Sequence, residues 1–401
     1  MELLIKNASI VDVSQDFTGD IYIKNGKIAT IGESLDMDCE TIDASGKTVL
    51  PGFIDMHVHF REPGFEYKED IESGSKSAVR GGFTTVNLMG NTNPICSSME
   101  VVDRVLNRGK EVDLVDIHQS VSITRDFSGD DISHLYEIDE NVVKIITDDG
   151  KGVLNNKVML DAMIKAVEKN MVVMAHGEDE EITPFSFRLS ENIETIRDIE
   201  LAKFTGAKLH MAHVSTAESI KYIVQAKVEG YENITCEVTP HHIFLTTDES
   251  NYRVNPPIRE YEDVESILWA IEDGYVDMIA TDHAPHTAED KSNGAPGMVG
   301  LETSFQVCYT ALVKSGRISL NKLTELMSKN PAKLLGLKKG ELKIGYDGDL
   351  VILDLDALNK VDSTEFQSKG RNTPFEGLEF YGEVEKTIRA GRVVYSKEGS
   401  Q

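Results

Sequence analysis

Residues 53–58 read FIDMHV, an apolar run that ends in polar residues, and seven similar runs follow it along the chain. They are TTVNLM (84–89), LVDIHQ (114–119), VVKII (142–146), VVMAH (172–176), LHMAHV (209–214), ITCEVT (234–239) and VDMIAT (276–281). Amphipathic stretches lie between several of them, such as KVMLDAMIKAVEK (157–169) and SIKYIVQAKV (219–228). Ser215 and Glu218 predict a capping box at the start of the second stretch. Eight strands with intervening helices predict an α/β fold, a (β/α)8 TIM-like barrel over residues 51–340.

Both ends of the chain differ from this middle, because they contain short β-rich runs and tight turns. The first end reads LLIKNASIVD (3–12), DIYIKNGKIATIG (20–32) and TIDASGKTVL (41–50), with Asn-Gly and Ser-Gly turn signals. The second end reads GDLVILDL (348–355) and VEKTIRAGRVVYS (384–396), with a turn at Ala390-Gly391. Neither end is long enough to bury a core alone. We therefore expect residues 1–50 and 341–401 to form one small β-sandwich domain beside the barrel.

Composition limits the class of protein. The chain has 401 residues, of which 40% are hydrophobic, so a sizeable core is expected. Its net charge of −27 argues against binding nucleic acid or an anionic membrane surface. No apolar run approaches the roughly 18 residues that cross a bilayer, and the N-terminus reads as a strand rather than a signal peptide. The four cysteines lie far apart, which favours reduced thiols in a cytoplasmic protein.

Polar residues stand where most of the predicted strands end. In a (β/α)8 barrel the active site gathers at that end of the strands. The residues are His57, His59, Asn91, Asp148, Asp149, His176, His213, Asn255 and Asp282.

Each of these residues has a plainer interpretation when it is taken alone. A single His-x-His pair is a weak signal, an isolated histidine is often a hydrogen-bonded core residue, and Asp282 could cap the next segment. Four histidines and two aspartates at matched strand ends nevertheless supply the N and O ligands that zinc prefers. The set therefore predicts a metal site, whereas His210, His241, His242 and His283 are interpreted as structural.

Two segments carry a resemblance to a known family. They are DMHVHFREPG (55–64) and ATDHAPHTAEDK (280–291), and both resemble the signature motifs of the long bacterial (type I) dihydroorotases in the amidohydrolase superfamily. Further matches are GNTNP (90–94), TDDG (147–150), MAHVS (211–215), EVTPHH (237–242) and VNPPIR (254–259). The resemblance covers essentially the whole chain, including the expected split β-sandwich.

The resemblance implies a site with two zinc ions per subunit. It assigns His57, His59, Asp149 and Asp282 to the first ion and His176 and His213 to the second, with Asp149 bridging both. Residues 283–300, rich in glycine, proline and charge, are predicted from composition alone to form an active-site loop. The resemblance assigns substrate binding to Arg61, Asn91, Asn255, His286, Pro296 and Gly297. It also implies a homodimer and an association with aspartate transcarbamoylase.

Three positions depart from the family pattern. Gly90 stands where a proline is usual, and Pro296 stands where relatives often carry an aromatic residue. Lys144 lies on the fourth predicted strand, where related enzymes have a carboxylated lysine that bridges the metals. Asp149 and Lys144 cannot both bridge in the same way, and the intact TDDG motif favours Asp149.

The implied reaction is the reversible cyclisation of N-carbamoyl-L-aspartate to L-dihydroorotate in pyrimidine biosynthesis. A zinc-activated hydroxide is the expected nucleophile, and Asp282 is the expected general acid and base. Arg61 can bind the substrate carboxylate bidentately, which would distinguish this activity from an allantoinase or dihydropyrimidinase. Those enzymes remain the alternative, together with a non-catalytic scaffold for aspartate transcarbamoylase. The scaffold is disfavoured because every expected ligand is present.

Overall fold

The computed structural model describes residues 2–397. The strands in this range, numbered in chain order, are β1 Glu2–Val11, β2 Asp16–Lys24, β3 Lys27–Gly32, β4 Glu40–Asp43, β5 Thr48–Pro51, β6 Phe53–Val58, β7 Phe83–Leu88, β8 Asp116–Gln119, β9 Ile145–Ile146, β10 Val172–Ala175, β11 Lys208–Met211, β12 Ile234–Val238, β13 Met278–Ile279, β14 Leu350–Lys360, β15 Glu379–Arg389 and β16 Arg392–Ser396.

The α-helices alternate with the central strands and follow them. They are α1 Ile71–Arg80, α2 Met99–Val112, α3 Asn156–Glu168, α4 Phe187–Thr205, α5 Ala217–Val228, α6 Pro240–Phe244, α7 Tyr261–Glu272, α8 Ala288–Ser292, α9 Ser304–Cys308, α10 Leu320–Thr324 and α11 Asn330–Leu335. A wider π-helical turn, Tyr309–Lys314, continues α9, and another, Glu325–Lys329, joins α10 to α11.

Eight parallel strands close into a barrel. One sheet has the order β6-β7-β8 and another has the order β13-β12-β11-β10-β9. A parallel bridge from Val121 to Ile146 joins the two sheets at one edge, and a parallel bridge from Val58 to His283 joins them at the other. Because both edges are paired, the two sheets form one closed ring of strands.

The barrel interior and its outer face have separate apolar clusters. Ile54 and Met56 of β6 pack with Met174 and Met278 from other strands, and Leu335 of α11 covers this cluster. A larger cluster fills the space between the strands and the surrounding helices. Because these clusters supply the core, the loops between each strand and the next helix can carry polar residues at the rim of the barrel.

The two ends of the chain meet in one mixed sheet, which has both antiparallel and parallel strand pairs. Its order is β16-β15-β14-β5-β1-β2-β3, with β4 also pairing with β1. The sheet encloses an apolar cluster of its own, which includes Ile5, Ile21, Val49 and Ile352. The expected α/β class, with a β-domain built from both ends of the chain, is confirmed. The turn predicted at Ala390-Gly391 is present, with both residues at positive φ.

Local boundaries differ from the sequence expectation at several elements, and only Met278 and Ile279 of the run VDMIAT form a strand. Only Ile145 and Ile146 of the run VVKII form a strand, because the N–H groups of Val142 and Val143 donate instead to the carbonyl of Asp139 in a turn. The capping box predicted at Ser215 is wrong, since Thr216 caps α5 and its hydroxyl accepts from Ser219 N. In the described part of the chain, no helix combines the length and apolar character needed to cross a membrane.

Candidate metal centre

Six side chains meet at the rim of the barrel where the strands end. The backbone brings them from β6 and from the loops after β9, β10, β11 and β13. They are His57, His59, Asp149, His176, His213 and Asp282, and all six are buried. These are the six residues that the sequence assigns to the metals, so the fold places the whole predicted ligand set in one cluster.

Asp149 lies at the centre of this cluster. Its Oδ1 is 3.1 Å from His57 Nε2, 3.3 Å from His176 Nδ1 and 3.3 Å from His213 Nε2. Its Oδ2 is 3.4 Å from His59 Nε2. One carboxylate therefore faces all four imidazoles.

Asp282 faces only one side of the cluster. Its Oδ1 is 3.1 Å from His59 Nε2 and 3.6 Å from His57 Nε2. The backbone of Asp282 has a φ of 51° and that of His213 a φ of 33°, values that non-glycine residues rarely adopt. The fold holds both ligand candidates in strained conformations, a feature that collects at functional sites.

The imidazoles of the cluster favour the ionised form of both aspartates. Burial alone would raise the pKa of Asp149, but the facing imidazoles of His57, His176 and His213 outweigh it and hold this pKa well below the usual range. Hydrogen bonding to His59 has the same effect on the pKa of Asp282, again against burial. Both aspartates are therefore carboxylates at neutral pH.

A second layer of polar groups orients the histidines. Glu237 Oε1 is 2.7 Å from His57 Nδ1, and Glu178 Oε2 is 2.8 Å from His176 Nε2. Asn91 Oδ1 is 2.9 Å from His59 Nδ1. Each contact uses the ring nitrogen that points away from the cluster, which fixes the tautomer and the direction of the ring.

Glu237 and Glu178 are residues that sequence reasoning missed as parts of the site. Glu237 is fully buried, and it also accepts from His210 Nε2 at 3.1 Å. A charged residue inside the apolar strand ITCEV was the available signal, because strands of a barrel seldom carry a lone buried carboxylate. Asn91, which the resemblance assigns to substrate binding, has its side-chain oxygen turned to His59.

The donor set fits a metal ion. His57, Asp149 and His213 offer atoms within 4.8 Å of one another, and so do His57, His59 and Asp282. His57 Nε2 is buried and has no hydrogen-bond partner among residues 2–397, although it points at both aspartates. Imidazole nitrogens and carboxylate oxygens that converge in a buried position are the ligands of zinc and similar divalent metals.

Lys144 lies apart from the cluster. Its ammonium group donates to the carbonyl of Glu140 at 2.7 Å, in the turn that precedes β9. Asp149 follows the other end of the same strand. The geometry places the aspartate, and not the lysine, between the histidines.

Arg61 and His286 lie beside the cluster on the side of residues 283–300. The Arg61 guanidinium lies close enough to lower the pKa of His59 and His286, after the larger effect of burial, and the pKa of His286 falls to about 3. Arg61 Nε is buried without a hydrogen-bond partner in the described chain. Asn255 lies across the site and donates to Glu178 Oε2 at 2.8 Å. A half-buried arginine next to the candidate metal centre, with its Nε left unpartnered, is suited to an anionic ligand.

Two further residues that sequence reasoning missed hold the loop of Pro296 and Gly297. Asn372 donates to the carbonyls of Ala284 and Gly297, at 3.0 and 3.1 Å, and accepts from His286 N at 3.0 Å. The Lys291 ammonium donates to three carbonyls, including that of Gly297 at 2.9 Å. Pro296 itself is exposed, whereas Gly297 is buried at a φ of 120°. No sequence pattern around Asn372 indicated this role, because the residue lies in the segment after β14 and not in the loop that it holds.

The four histidines interpreted as structural have mostly internal partners. Their contacts run from His210 to Glu237, from His242 to the carbonyl of Pro256 at 3.1 Å, and from His283 to Glu69 at 3.3 Å. His241 is buried with both ring nitrogens unpartnered in the described structure, and burial holds its pKa well below the usual value.

Comparison with known proteins agrees with this geometry. The model of the amidohydrolase family matches residues 48–394. A curated dihydroorotase from Clostridium botulinum is 58% identical over 399 residues, which cover 99% of this chain and 100% of that protein. A curated dihydroorotase from Brevibacillus brevis is 39% identical, with 98% of this chain and 99% of that protein covered.

Solved structures of related enzymes share the fold. The L-hydantoinase (dihydropyrimidinase) of Arthrobacter aurescens has a TM-score of 0.91 at 29% identity, with 98% of this chain and 96% of that chain covered. The dihydropyrimidinase of Brevibacillus agri has a TM-score of 0.90 at 23% identity, with 99% and 96% covered, and shows the fold alone. The chain therefore belongs to the amidohydrolase family and, within that family, to the dihydroorotases.

Proposed function

We propose that the protein catalyses the reversible cyclisation of N-carbamoyl-L-aspartate to L-dihydroorotate with release of water, in pyrimidine biosynthesis. The observation that carries this proposal is Arg61, a half-buried arginine two residues beyond His59 whose buried Nε has no hydrogen-bond partner in the described chain. The substrate has a carboxylate that such a group can bind, and the rings of hydantoin and dihydrouracil lack it. The 58% identity to a dihydroorotase over the whole chain supports the same choice.

The proposed cofactor is zinc, with two ions per subunit. His57, His59 and Asp282 would hold one ion, His176 and His213 would hold the other, and Asp149 would contact both. When bound, zinc supplies Lewis-acid polarisation of a carbonyl and lowers the pKa of a coordinated water to about 7.

The side chains around the substrate would transfer one proton and hold the substrate in place. In the hydrolytic direction water adds to the ring carbonyl, the C–N bond breaks, and the nitrogen leaves with a proton. Asp282 is a carboxylate at neutral pH, so it can take the proton of the attacking water on Oδ and deliver it to the leaving nitrogen. Arg61, Asn255 and His286, with the loop of Pro296 and Gly297, would bind the substrate. Asn91 would also bind substrate, while its side-chain oxygen contacts His59.

Several finer predictions accompany this function. The proposed domains are residues 1–50 with 341–401 and residues 51–340, and the proposed location is the cytoplasm. An association with aspartate transcarbamoylase stays a prediction. The second candidate activity is that of a hydantoinase or dihydropyrimidinase, which the structural likeness to the Arthrobacter enzyme favours.

The test is a substrate panel on protein stripped with chelator and reloaded with zinc. We expect turnover of dihydroorotate but not of dihydrouracil, hydantoin or allantoin, and we expect Asp282→Asn to abolish it. Arg61→Met should raise KM for dihydroorotate at least tenfold, because about 1.4 kcal/mol is tenfold in binding and a charged hydrogen bond contributes more than that. Arg108→Met, at a half-buried surface arginine, is the matched control. Turnover only of a ring without the carboxylate would overturn the proposal in favour of the hydantoinase.

A further inference from the structure

A lysine ammonium group lies beside His286, on the substrate side of the metal centre. Lys68 Nζ is 3.4 Å from His286 Nδ1 and 3.3 Å from Asp290 Oδ1. The Lys68 side chain is 16% exposed, and the ring centres of Phe65 and Tyr67 lie 6.0 and 5.6 Å from its ammonium group. The ammonium group is therefore sheltered and has a defined position, with a carboxylate on one side and an imidazole on the other.

Two neighbouring loops at the rim of the barrel bring these groups together. Lys68 lies in the loop from β6 to α1, which also carries Arg61, and His286 lies in the loop from β13 to α8. The two loops are joined where they begin, because the backbone N–H of His59 donates to the carbonyl of His283 at 2.9 Å. The contact between Lys68 and His286 therefore depends on closure of the barrel, and no local sequence pattern indicates it.

This contact fixes which nitrogen of the His286 ring carries the proton. A lysine ammonium group has only N–H donors, so His286 Nδ1 must accept from it. The other polar neighbour of Nδ1, Asp290 Oδ2, is 4.0 Å away and accepts instead from the backbone N–H and the hydroxyl of Thr287, at 3.0 and 2.8 Å. Burial, followed by the charges of Arg61 and Lys68, lowers the pKa of His286 to about 3, so the ring is neutral at physiological pH. A neutral ring has one N–H group, which is therefore at Nε2.

The Nε2 atom of His286 faces Gly297 and is open to a ligand. A Cβ atom added to Gly297 would lie 3.3 Å from His286 Nε2 and 2.8 Å from the Cβ of Ala284. The lack of a side chain at Gly297 therefore keeps the approach to Nε2 clear. Within residues 2–397 the His286 ring makes its hydrogen bond at Nδ1, which leaves the Nε2–H group available. An N–H donor in this position, together with the nearby guanidinium of Arg61, suits a carboxylate.

We propose that Lys68 is a positioning residue of the substrate site. Its ammonium group donates to His286 Nδ1, holds the ring proton on Nε2 and so presents an N–H donor to the carboxylate of the substrate. With the opposite tautomer, Nε2 would present a lone pair to that carboxylate and repel it. The inference rests on the proposed function, because that function supplies the carboxylate, whereas the tautomer is a property of the protein without substrate.

Steady-state kinetics on the zinc-loaded protein test the consequence for substrate binding. Lys68→Met removes the donor, so that Asp290 can accept from an N–H group at Nδ1 of His286. We expect KM for dihydroorotate to rise roughly tenfold, through the loss of one charge-assisted hydrogen bond, while kcat changes by less than about threefold. Lys68→Arg keeps a cation that has only donors, and its KM should stay within about threefold of the wild-type value.

Lys165→Met is the matched control for the loss of a sheltered lysine. The Lys165 side chain is 12% exposed and its ammonium group lies 3.9 Å from the ring centre of Tyr136, but the residue is on α3 and not in the loops of the site. This variant should keep the wild-type kcat and KM. Equal rises of KM in Lys68→Met and Lys68→Arg would assign the effect to packing and overturn the proposal.

A second measurement observes the tautomer directly and needs no turnover. Nitrogen NMR of protein labelled at histidine distinguishes a protonated ring nitrogen from an unprotonated one, and His286→Asn identifies the signals of His286. We expect the Nε2–H tautomer in the wild type and in Lys68→Arg, and a larger share of the Nδ1–H tautomer in Lys68→Met. Nδ1–H as the main tautomer of the wild type, or an unchanged KM in Lys68→Met, would overturn the proposal. If the wild type does not turn over dihydroorotate, the proposed function fails while the tautomer can still be measured, so the two failures are distinguishable.

Discussion

At the scale of single residues, the position of a carboxylate determines its use in this protein. Asp149 and Asp148 are neighbours, yet Asp149 faces four imidazoles, whereas Asp148 accepts from the backbone N–H groups of Ile123 and Thr124. Asp148 thereby fixes the loop that presents Asp149. Glu237 has a third use, because it contacts His57 on the side away from the cluster.

Glu237→Gln tests this positioning role. The amide keeps the size of the side chain but carries no negative charge. The buried rings of His57 and His210 therefore lose the anionic partner that they contact in the wild type. We expect zinc affinity to fall by about 10- to 100-fold, as is typical when an orienting partner of a metal ligand is lost. Competition with a chelator of known affinity measures this change.

Glu302→Gln is the matched control for that change. Glu302 is another carboxylate in a sheltered position, and it accepts from the backbone of Gln367 and Ser368 away from the cluster. Its variant should bind zinc as the wild type does. Equal zinc affinity in Glu237→Gln and wild type would show that His57 is oriented without Glu237.

At the scale of elements, the segment between β14 and β15 is part of the barrel rim as well as of the end sheet. Ser368 donates to Glu69, and the backbone N–H of Val299 donates to the carbonyl of Asn372 at 2.9 Å. Asn372 adds three side-chain hydrogen bonds to the loop that carries His286 and Gly297. The C-terminal part of the chain therefore shapes the substrate side of the site.

Asn372→Ala should weaken substrate binding more than it slows the chemical step. The variant leaves the metal cluster unchanged but releases His286 N and the Gly297 carbonyl. Hydrogen bonds contribute about 1 kcal/mol each, so we expect KM to rise roughly tenfold while kcat changes less. Steady-state kinetics on dihydroorotate measures both constants. Asn359→Ala, at an asparagine whose Nδ2 has no partner in the described structure, is the control, and a fall in kcat at constant KM would contradict the positioning role.

The same segment shows where sequence reasoning stops. Period and turn signals identify strands and helices because those patterns are local, and the runs at 53–58, 84–89 and 234–239 all form strands. The role of Asn372 depends on contacts with residues about 75 and 88 positions earlier, which no local pattern records. The wrong cap at Ser215 has the same cause, since its hydroxyl is engaged by Glu191 and Arg259 across the fold.

At the scale of the whole molecule, the predicted ligand set could be found because a barrel aligns the ends of its strands. Residues from His57 to Asp282 are far apart in the sequence but meet when the eight strands close into a barrel. The polar residues at successive strand ends therefore predict the cluster. The outward-facing apolar residues of α4, such as Phe187 and Phe204, could not be found in that way. The pattern of apolar residues in this helix is compatible with burial on either face, and only the structure shows which face is outward.

Removal of the metal should destabilise the whole barrel. The six side chains of the cluster come from five strand ends, so an ion that binds them joins most of the ring and is lost on unfolding. Without it, two buried carboxylates and four imidazoles must satisfy one another. A ligand at 1,000 times its Kd stabilises the folded state by about 4 kcal/mol.

We expect chelator treatment to lower Tm and zinc to restore it, as measured by calorimetry with metal content determined on the same samples. Calcium, which prefers six to eight oxygen ligands, should not restore it. An unchanged Tm in protein shown to be free of metal would mean that the cluster is held by its own hydrogen bonds.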